Sequence, residues 1–188
     1  SQWMPAQPYF CNLGLSTGLT FMTFYAHVIR GETYISPGEG TQVLEQLRNH
    51  NVACLIASPH QLSVLLTSAR ASSAEFPNLR TIMSAGAALP EFLGQQLMRR
   101  FDADLVVTYA STEAGSTAIR LGADSTDGCA GTVIDGVEVA AFDDVGRRLP
   151  DGEQGLIGVK RARQPQAYLG EPEATARSFR EEIGRASC

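Results

Sequence analysis

Lysine is almost missing from this chain. Lys160 is the only one among 188 residues, and neither Gly-Lys-Ser nor Gly-Lys-Thr occurs, so a lysine-bearing phosphate loop of that form is excluded. Cysteine is sparse as well. Cys11, Cys54, Cys129 and Cys188 stand too far apart for a zinc knuckle and form no paired motif, which points to reduced thiols without a metal. His27, His50 and His60 have no i, i+4 histidine partner and no cysteine or carboxylate at ligand spacing; they are expected at the surface or partly buried, without a role. Positive charge is short overall, with a net charge of −5. The basic pairs Arg99-Arg100, Arg147-Arg148 and Lys160-Arg161 are scattered, so no continuous basic face exists for a nucleic-acid backbone. Long apolar runs are absent too. The stretch from Leu13 to Ile29 is interrupted by Ser16, Thr17, Gly18, Thr20, Thr23 and His27, which excludes a membrane span and predicts a core helix. No targeting signal is visible, and a cytoplasmic protein is expected.

What remains is an ordinary globular composition, 44% hydrophobic and 19% charged, sufficient for one domain or two small ones. Residues 1–122 alternate helical and extended patterns, as a parallel sheet flanked by helices requires. Thr41 can cap a helix carrying Val43, Leu44 and Leu47, and the extended run Val52 to Ala57 follows. Ser58-Pro59 begins the next helix, with Leu62, Leu65 and Leu66 as its apolar stripe. Pro77-Asn78 turns into a strand over Leu79 to Met83. A helix from Pro90 to Phe101 then carries Glu91 early and Arg99-Arg100 late, matching the helix dipole, and a strand from Asp104 to Thr108 completes the unit. Beyond Gly122 glycine and aspartate multiply, and period-two segments appear at Val137 to Ala141 and Leu156 to Lys160. Residues 123–188 are therefore expected to form a smaller β-rich lobe with a short C-terminal helical tail.

Two segments attract chemistry. Tyr109-Ala110-Ser111-Thr112-Glu113 follows the apolar run Leu105 to Thr108, so a hydroxyl-rich, acid-terminated loop is expected to leave the end of a buried strand, where α/β folds place ligands. Hydroxyls can donate to phosphate oxygens, a carboxylate can hold Mg²⁺, and an aromatic ring can lie on a base. Upstream, Ser84 to Leu89 includes the small residues Ala85, Gly86, Ala87 and Ala88, which let main chain approach a flat ligand closely. Taken singly, Tyr109 to Glu113 reads equally well as a solvated connection, and Ser84 to Leu89 reads better as a tight, packed strand-to-helix turn.

Read in order with Gly155-Leu156-Ile157-Gly158-Val159, Tyr168-Leu169-Gly170 and Pro172-Glu173-Ala174-Thr175-Ala176, these segments resemble the acyl-adenylate-forming enzymes. The resemblance runs from about Pro8 to Phe179 and matches the middle of such enzymes, among which acyl-CoA synthetases are the most similar. It implies the central part of their N-terminal domain, adenine nucleotide (ATP and AMP) with Mg²⁺ as cofactors, a small carboxylic acid as substrate and coenzyme A as acceptor. It also implies residue roles. Gly86, Ala87 and Ala88 with Thr108 to Thr112 would contact the nucleotide, with Tyr109 packed on adenine and Thr112 on phosphate. Glu113 would position the metal, making Thr112 and Glu113 the catalytic pair. Cys11, Gly14 and Gly86 would border the acyl group. Several positions depart from the family pattern: Ala85 and Ala88 replace glycine and proline, Ala110 replaces glycine, and Cys11 stands where a histidine is usual.

The family's phosphate loop and its adenylate-forming lysine have no match, and Arg180 to Cys188 does not match the segment holding the ribose-binding aspartate. The chain is accordingly expected to be a fragment with little activity of its own. Two alternatives stay open: a noncatalytic nucleotide-binding module, and a remnant that forms a homodimer through exposed edges.

Overall fold

The computed structural model describes residues 7–37, 43–67, 75–122, 129–180 and 183–185. The chain divides into two compact units, one comprising Ser1–Tyr109 with Ile119–Gly131 and the other Ala110–Ala118 with Thr132–Cys188.

The first unit is a mostly parallel sheet with helices on both faces, as expected. In chain order it contains β1 (Tyr9–Cys11), α1 (Gly18–Arg30), β2 (Tyr34–Ile35), α2 (Val43–Asn49), β3 (Cys54–Ala57), α3 (Pro59–Thr67), β4 (Thr81–Ser84), α4 (Glu91–Arg100) and β5 (Asp104–Ser111), followed by β6 (Gly115–Leu121). The strand order is β2-β1-β3-β4-β5-β6. Register is continuous at the centre, with Cys54 opposite Thr81, Ala57 opposite Ser84 and Ser84 opposite Val107. All four residues of β3 are buried, because a parallel strand covered on both faces has no solvated side. Alternation sends Phe10, Leu55, Ala57, Ile82, Leu105 and Val107 into one core, which also holds Leu62 and Leu65 of α3 and Leu93 and Leu97 of α4.

Local signals explain the helix boundaries. Ser58 and Gln61 form a reciprocal cap, Gln61 N–H donating to Ser58 Oγ at 3.3 Å and Ser58 N–H to Gln61 Oε1 at 2.9 Å. The Gln61 amide also donates to the Asn12 carbonyl at 2.7 Å, fastening the segment after β1 to the start of α3. Pro90 and Phe101 flank α4, with Glu91 in its first turn and Arg99 and Arg100 in its last. Thr41, the expected cap of α2, lies outside the described residues.

The expectation of a core helix near the start is corrected. α1 is helical, but it turns Thr20 and His27 inward, two turns apart on one face, and leaves Phe21, Met22, Tyr25, Val28 and Ile29 each more than half exposed. The cause lies beneath it, where β1 and β2 present Tyr9, Cys11 and Tyr34. Cys11 Sγ lies 3.5 Å from Thr20 Oγ1, and the His27 ring packs on Tyr9 at a centroid distance of 4.5 Å and edge-on to Tyr34 at 5.5 Å. His27 is therefore buried instead of lying near the surface. Its Nδ1 lies 2.6 Å from the Thr23 carbonyl oxygen and its Nε2 lies 3.7 Å from a Glu32 carboxylate oxygen.

The second unit contains the distal part of β5 and the start of β6, then β7 (Thr132–Val133), β8 (Val137–Phe142), β9 (Leu156–Arg161), α5 (Pro172–Ser178), β10 (Phe179–Arg180) and β11 (Ile183–Arg185). Its small sheet has the order β10-β11-β9-β8 and is antiparallel at every pairing. The period-two segments are the β8–β9 pair, with Val139 opposite Val159. Gly155 is required where the chain enters β9, since a Cβ there would lie 2.5 Å from the Phe142 carbonyl oxygen. No helix of the described residues is long and apolar enough to cross a membrane.

Burial lifts the Tyr9 and Tyr34 phenols far above their usual range, chiefly by desolvation, with the nearby Cys11 thiol adding to it for both. Because the folded values exceed the unfolded ones, the stability these neutral phenols contribute is complete below about pH 10, the ordinary tyrosine value, and is lost as pH rises above it. An absorbance titration of phenolate is expected to show Tyr9 and Tyr34 ionising only with alkaline unfolding, and Tyr34→Phe is expected to move that unfolding to higher pH.

Candidate functional site

β5 organises the site. It was expected to end at Thr108, but pairing with β6 carries it through Ser111, and the strand-to-loop reading of Tyr109 to Ser111 is thereby corrected. The backbone then reverses over Thr112, Glu113 and Ala114 into β6, whose far end returns to β5 through a hydrogen bond from Gly122 N–H to the Leu105 carbonyl at 2.8 Å. The physical reason is a local cap: Ala114 N–H donates to Ser111 Oγ at 3.1 Å, closing the reversal before a helix can begin.

Within the first unit, the residues expected at the nucleotide gather at the carboxyl ends of β4 and β5. Ser84 is the last residue of β4 and pairs with Val107, so Thr108 and Tyr109 project beyond the paired end of β4. The loop after β4 buries Ala85 and exposes Gly86, Ala87 and Ala88. Gly86 takes φ +90°, and a Cβ there would point into open space, so the main chain at this exposed rim is uncovered. Two buried hydroxyls here, Ser84 Oγ and Thr108 Oγ1, have no hydrogen-bond partner among the described residues. Unpaired buried hydroxyls are costly in an apolar core, and these two sit on neighbouring strands, Ser84 at the end of β4 and Thr108 one residue past its pairing partner Val107.

Cys11 and Gly14 lie elsewhere on the same sheet. β1 is two strands from β4, about 10 Å at ordinary strand spacing. Cys11 is fully buried against Thr20, while Gly14 sits half-buried at φ +75° just beyond β1. Gly14, just beyond β1, and Gly86, just beyond β4, follow parallel strands at the same end of the sheet, two strands apart.

Within the second unit, Ala110, Ser111, Thr112 and Glu113 form the end of β5 and its reversal, with Thr112 exposed and Glu113 partly buried. Two side chains that sequence reasoning gave no role hold this turn. Arg161, at the end of β9, donates from Nη1 to the Ala114 carbonyl at 2.9 Å and from Nη2 to the Ser116 carbonyl at 3.1 Å. Gly115 between them adopts φ +66°, and a Cβ there would lie 2.6 Å from Arg161 Nη1. Tyr168 donates its phenolic hydrogen to Glu113 Oε1, and its oxygen lies 3.3 Å from Ser178 Oγ. That bond to the carboxylate, above all, raises the Tyr168 phenol from its ordinary value. The dipeptide Lys160-Arg161 and the motif at Tyr168 were visible in the sequence, but a contact 55 residues distant along the chain leaves no local signal.

A hard oxygen donor set of one carboxylate and an exposed neighbouring hydroxyl suits Mg²⁺ that arrives with phosphate, since Mg²⁺ is commonly held by one or two carboxylates plus substrate oxygens. Among the described residues no group of three or more histidine, cysteine, aspartate or glutamate side chains could hold a metal. Glu113 and Thr112 are the residues that would meet a phosphate-borne ion.

Over residues 2–169 the sequence matches the family of AMP-binding enzymes. The chain belongs to that family. Among curated AMP-binding relatives, 4-coumarate--CoA ligase 1 of Solanum tuberosum is 30% identical over 149 residues, which cover 75% of this chain and 27% of the ligase. Among solved structures, VinN superposes with a TM-score of 0.82 at 23% identity, covering 99% of this chain and 48% of VinN. The O-succinylbenzoate coenzyme A synthetase of Bacillus subtilis, solved in complex with AMP, superposes with a TM-score of 0.79 at 21% identity, covering 95% of this chain and 37% of that one. At these identities the structural likeness establishes the fold, and the chain spans roughly a quarter of the length of the plant ligase.

Arg161→Ala is expected to lower the unfolding free energy by about 1–3 kcal/mol, because it leaves two turn carbonyls without their donor. Gly115→Ala is expected to destabilise in the same direction by displacing that guanidinium. Urea denaturation of both single variants and the double variant should show less than additive loss, since both act on one contact.

Proposed function

We propose that this chain supplies the adenylate-binding face of an ATP-dependent acid:CoA ligase, an enzyme that activates a carboxylate as acyl-AMP and passes the acyl group to a thiol. The observation carrying this reading is the carboxyl edge of β4 and β5, where Gly86 offers open main chain, Ser84 and Thr108 hold partnerless buried hydroxyls, and Tyr109 follows. In this reading Gly86, Ala87 and Ala88 face the base or acyl group, Tyr109 lies on adenine, and Thr112 donates to phosphate. Glu113 holds Mg²⁺, which when bound neutralises developing phosphate charge. The acid itself, whether fatty, aryl or amino, depends on side chains from several loops, and the acceptor is taken as coenzyme A from the character of the relatives.

Turnover by this chain is a separate matter. Its only lysine, Lys160, is an exposed residue of β9, and a lysine at the transferring phosphate is what the family's adenylation chemistry uses. Residues 1–188 taken by themselves are expected to bind nucleotide with little exchange of pyrophosphate into ATP, and exchange at ordinary enzymatic rates would refute this part. A self-associating remnant is the competing reading. The exposed apolar face of α1 gives it a concrete locus, and a monomer across concentrations in light scattering removes it.

Calorimetric titration with AMP, and with ATP plus Mg²⁺, tests the main reading. Saturable binding is expected, weakened roughly tenfold or more in Tyr109→Ala through loss of stacking. Glu113→Ala should leave AMP binding nearly intact and remove the benefit of Mg²⁺ for ATP. A folded chain that gives no heat with either nucleotide would sink the proposal.

A further inference from the structure

The segment Tyr168 to Phe179 has no part in the nucleotide reading above, yet it is built around one side chain. Gly170 at φ +76° turns the chain after Tyr168-Leu169, and Pro172 opens the short helix α5. Thr175, one turn into that helix, reaches back: its Oγ1 accepts from Tyr168 N–H at 2.9 Å and donates to the Glu171 carbonyl at 2.8 Å. Phe179, just past the helix, packs against the Tyr168 ring at 5.2 Å with an interplanar angle of 71°. Main chain, ring face and ring tip are thus each fixed separately, and the tip ends on Glu113 Oε1.

We propose that Tyr168 is a positioning residue for Glu113, held by Thr175 and Phe179 so that its hydroxyl fixes the carboxylate in the orientation that meets Mg²⁺. This rests on the reading of Glu113 as the metal-facing residue. A carboxylate has two oxygens, and a donor committed to one of them fixes the plane in which the other is presented. Without that donor the side chain samples several rotamers, and a metal must select the productive one.

Tyr168→Phe keeps the ring against Phe179 and removes only the hydroxyl. Calorimetry on the full chain would compare AMP without metal against ATP with increasing Mg²⁺, in wild type, Tyr168→Phe, Glu113→Gln and the double variant. The expected result is roughly a tenfold loss of affinity for ATP with Mg²⁺ in Tyr168→Phe, a much smaller change for AMP, and no further loss when the substitution is added to Glu113→Gln. Unchanged ATP–Mg²⁺ affinity in Tyr168→Phe would overturn the assignment while leaving the nucleotide reading standing. So would an equal loss for both ligands with a lowered melting temperature, or a loss that persists beside Glu113→Gln. Absence of nucleotide binding by the wild-type chain would remove the ligand reading itself, and this assignment with it.

Discussion

Parallel pairing at the centre of the first unit is the constraint on which everything else rests. β3 and β4 must bury both faces, because the connections between parallel strands pass over the sheet as helices and leave no solvated side. Polar chemistry is thereby driven off the strands' lengths and onto their carboxyl ends. Ser84 and the exposed small-residue rim at Gly86 to Ala88 lie at and just beyond the carboxyl end of β4, and Thr108 of β5 is the first residue past that paired end. The same constraint makes β5 consequential, since a strand that outruns its neighbour β4 carries Thr108 and Tyr109 past the edge in fixed alternation.

The second unit solves a different problem. A carboxylate on a three-residue reversal has few local restraints, and the sequence between Ser111 and Gly115 supplies only one cap, the Ser111 hydroxyl. The remaining restraint comes from β9 and from the bracket around α5. Arg161 fixes the main chain of the turn through a planar fork that lysine could not reproduce, while Tyr168 fixes the side chain. The two restraints act on different atoms of one short segment.

Much of the fold was legible because it is local. Ser58-Pro59 announced the start of α3 through the open amide donors of a first turn, and Pro90 to Phe101 announced α4 through its charge asymmetry. Period-two hydrophobicity revealed β8 and β9. The failures were of one kind, since each depended on a partner outside the element itself. An apolar run at Leu13 to Ile29 looked like core, but which side of α1 turned inward was decided by Tyr9, Cys11 and Tyr34. Likewise, hydroxyl-rich residues after Thr108 read as a loop until β6 proved to lie beside them. The candidates Tyr109, Thr112 and Glu113 were proposed from a family pattern, whereas Arg161 and Tyr168, which touch that turn, became visible only as contacts.

The outward apolar face of α1 has a thermodynamic corollary. Phe21, Met22, Tyr25, Val28 and Ile29 are already largely hydrated in the folded chain. Unfolding exposes little additional apolar surface at these positions, and newly exposed apolar surface is what generates the positive heat capacity of unfolding. These side chains therefore add less to the curvature of stability with temperature than fully buried ones would, so that part of the sequence is less hydrophobic in its calorimetric behaviour than in its composition.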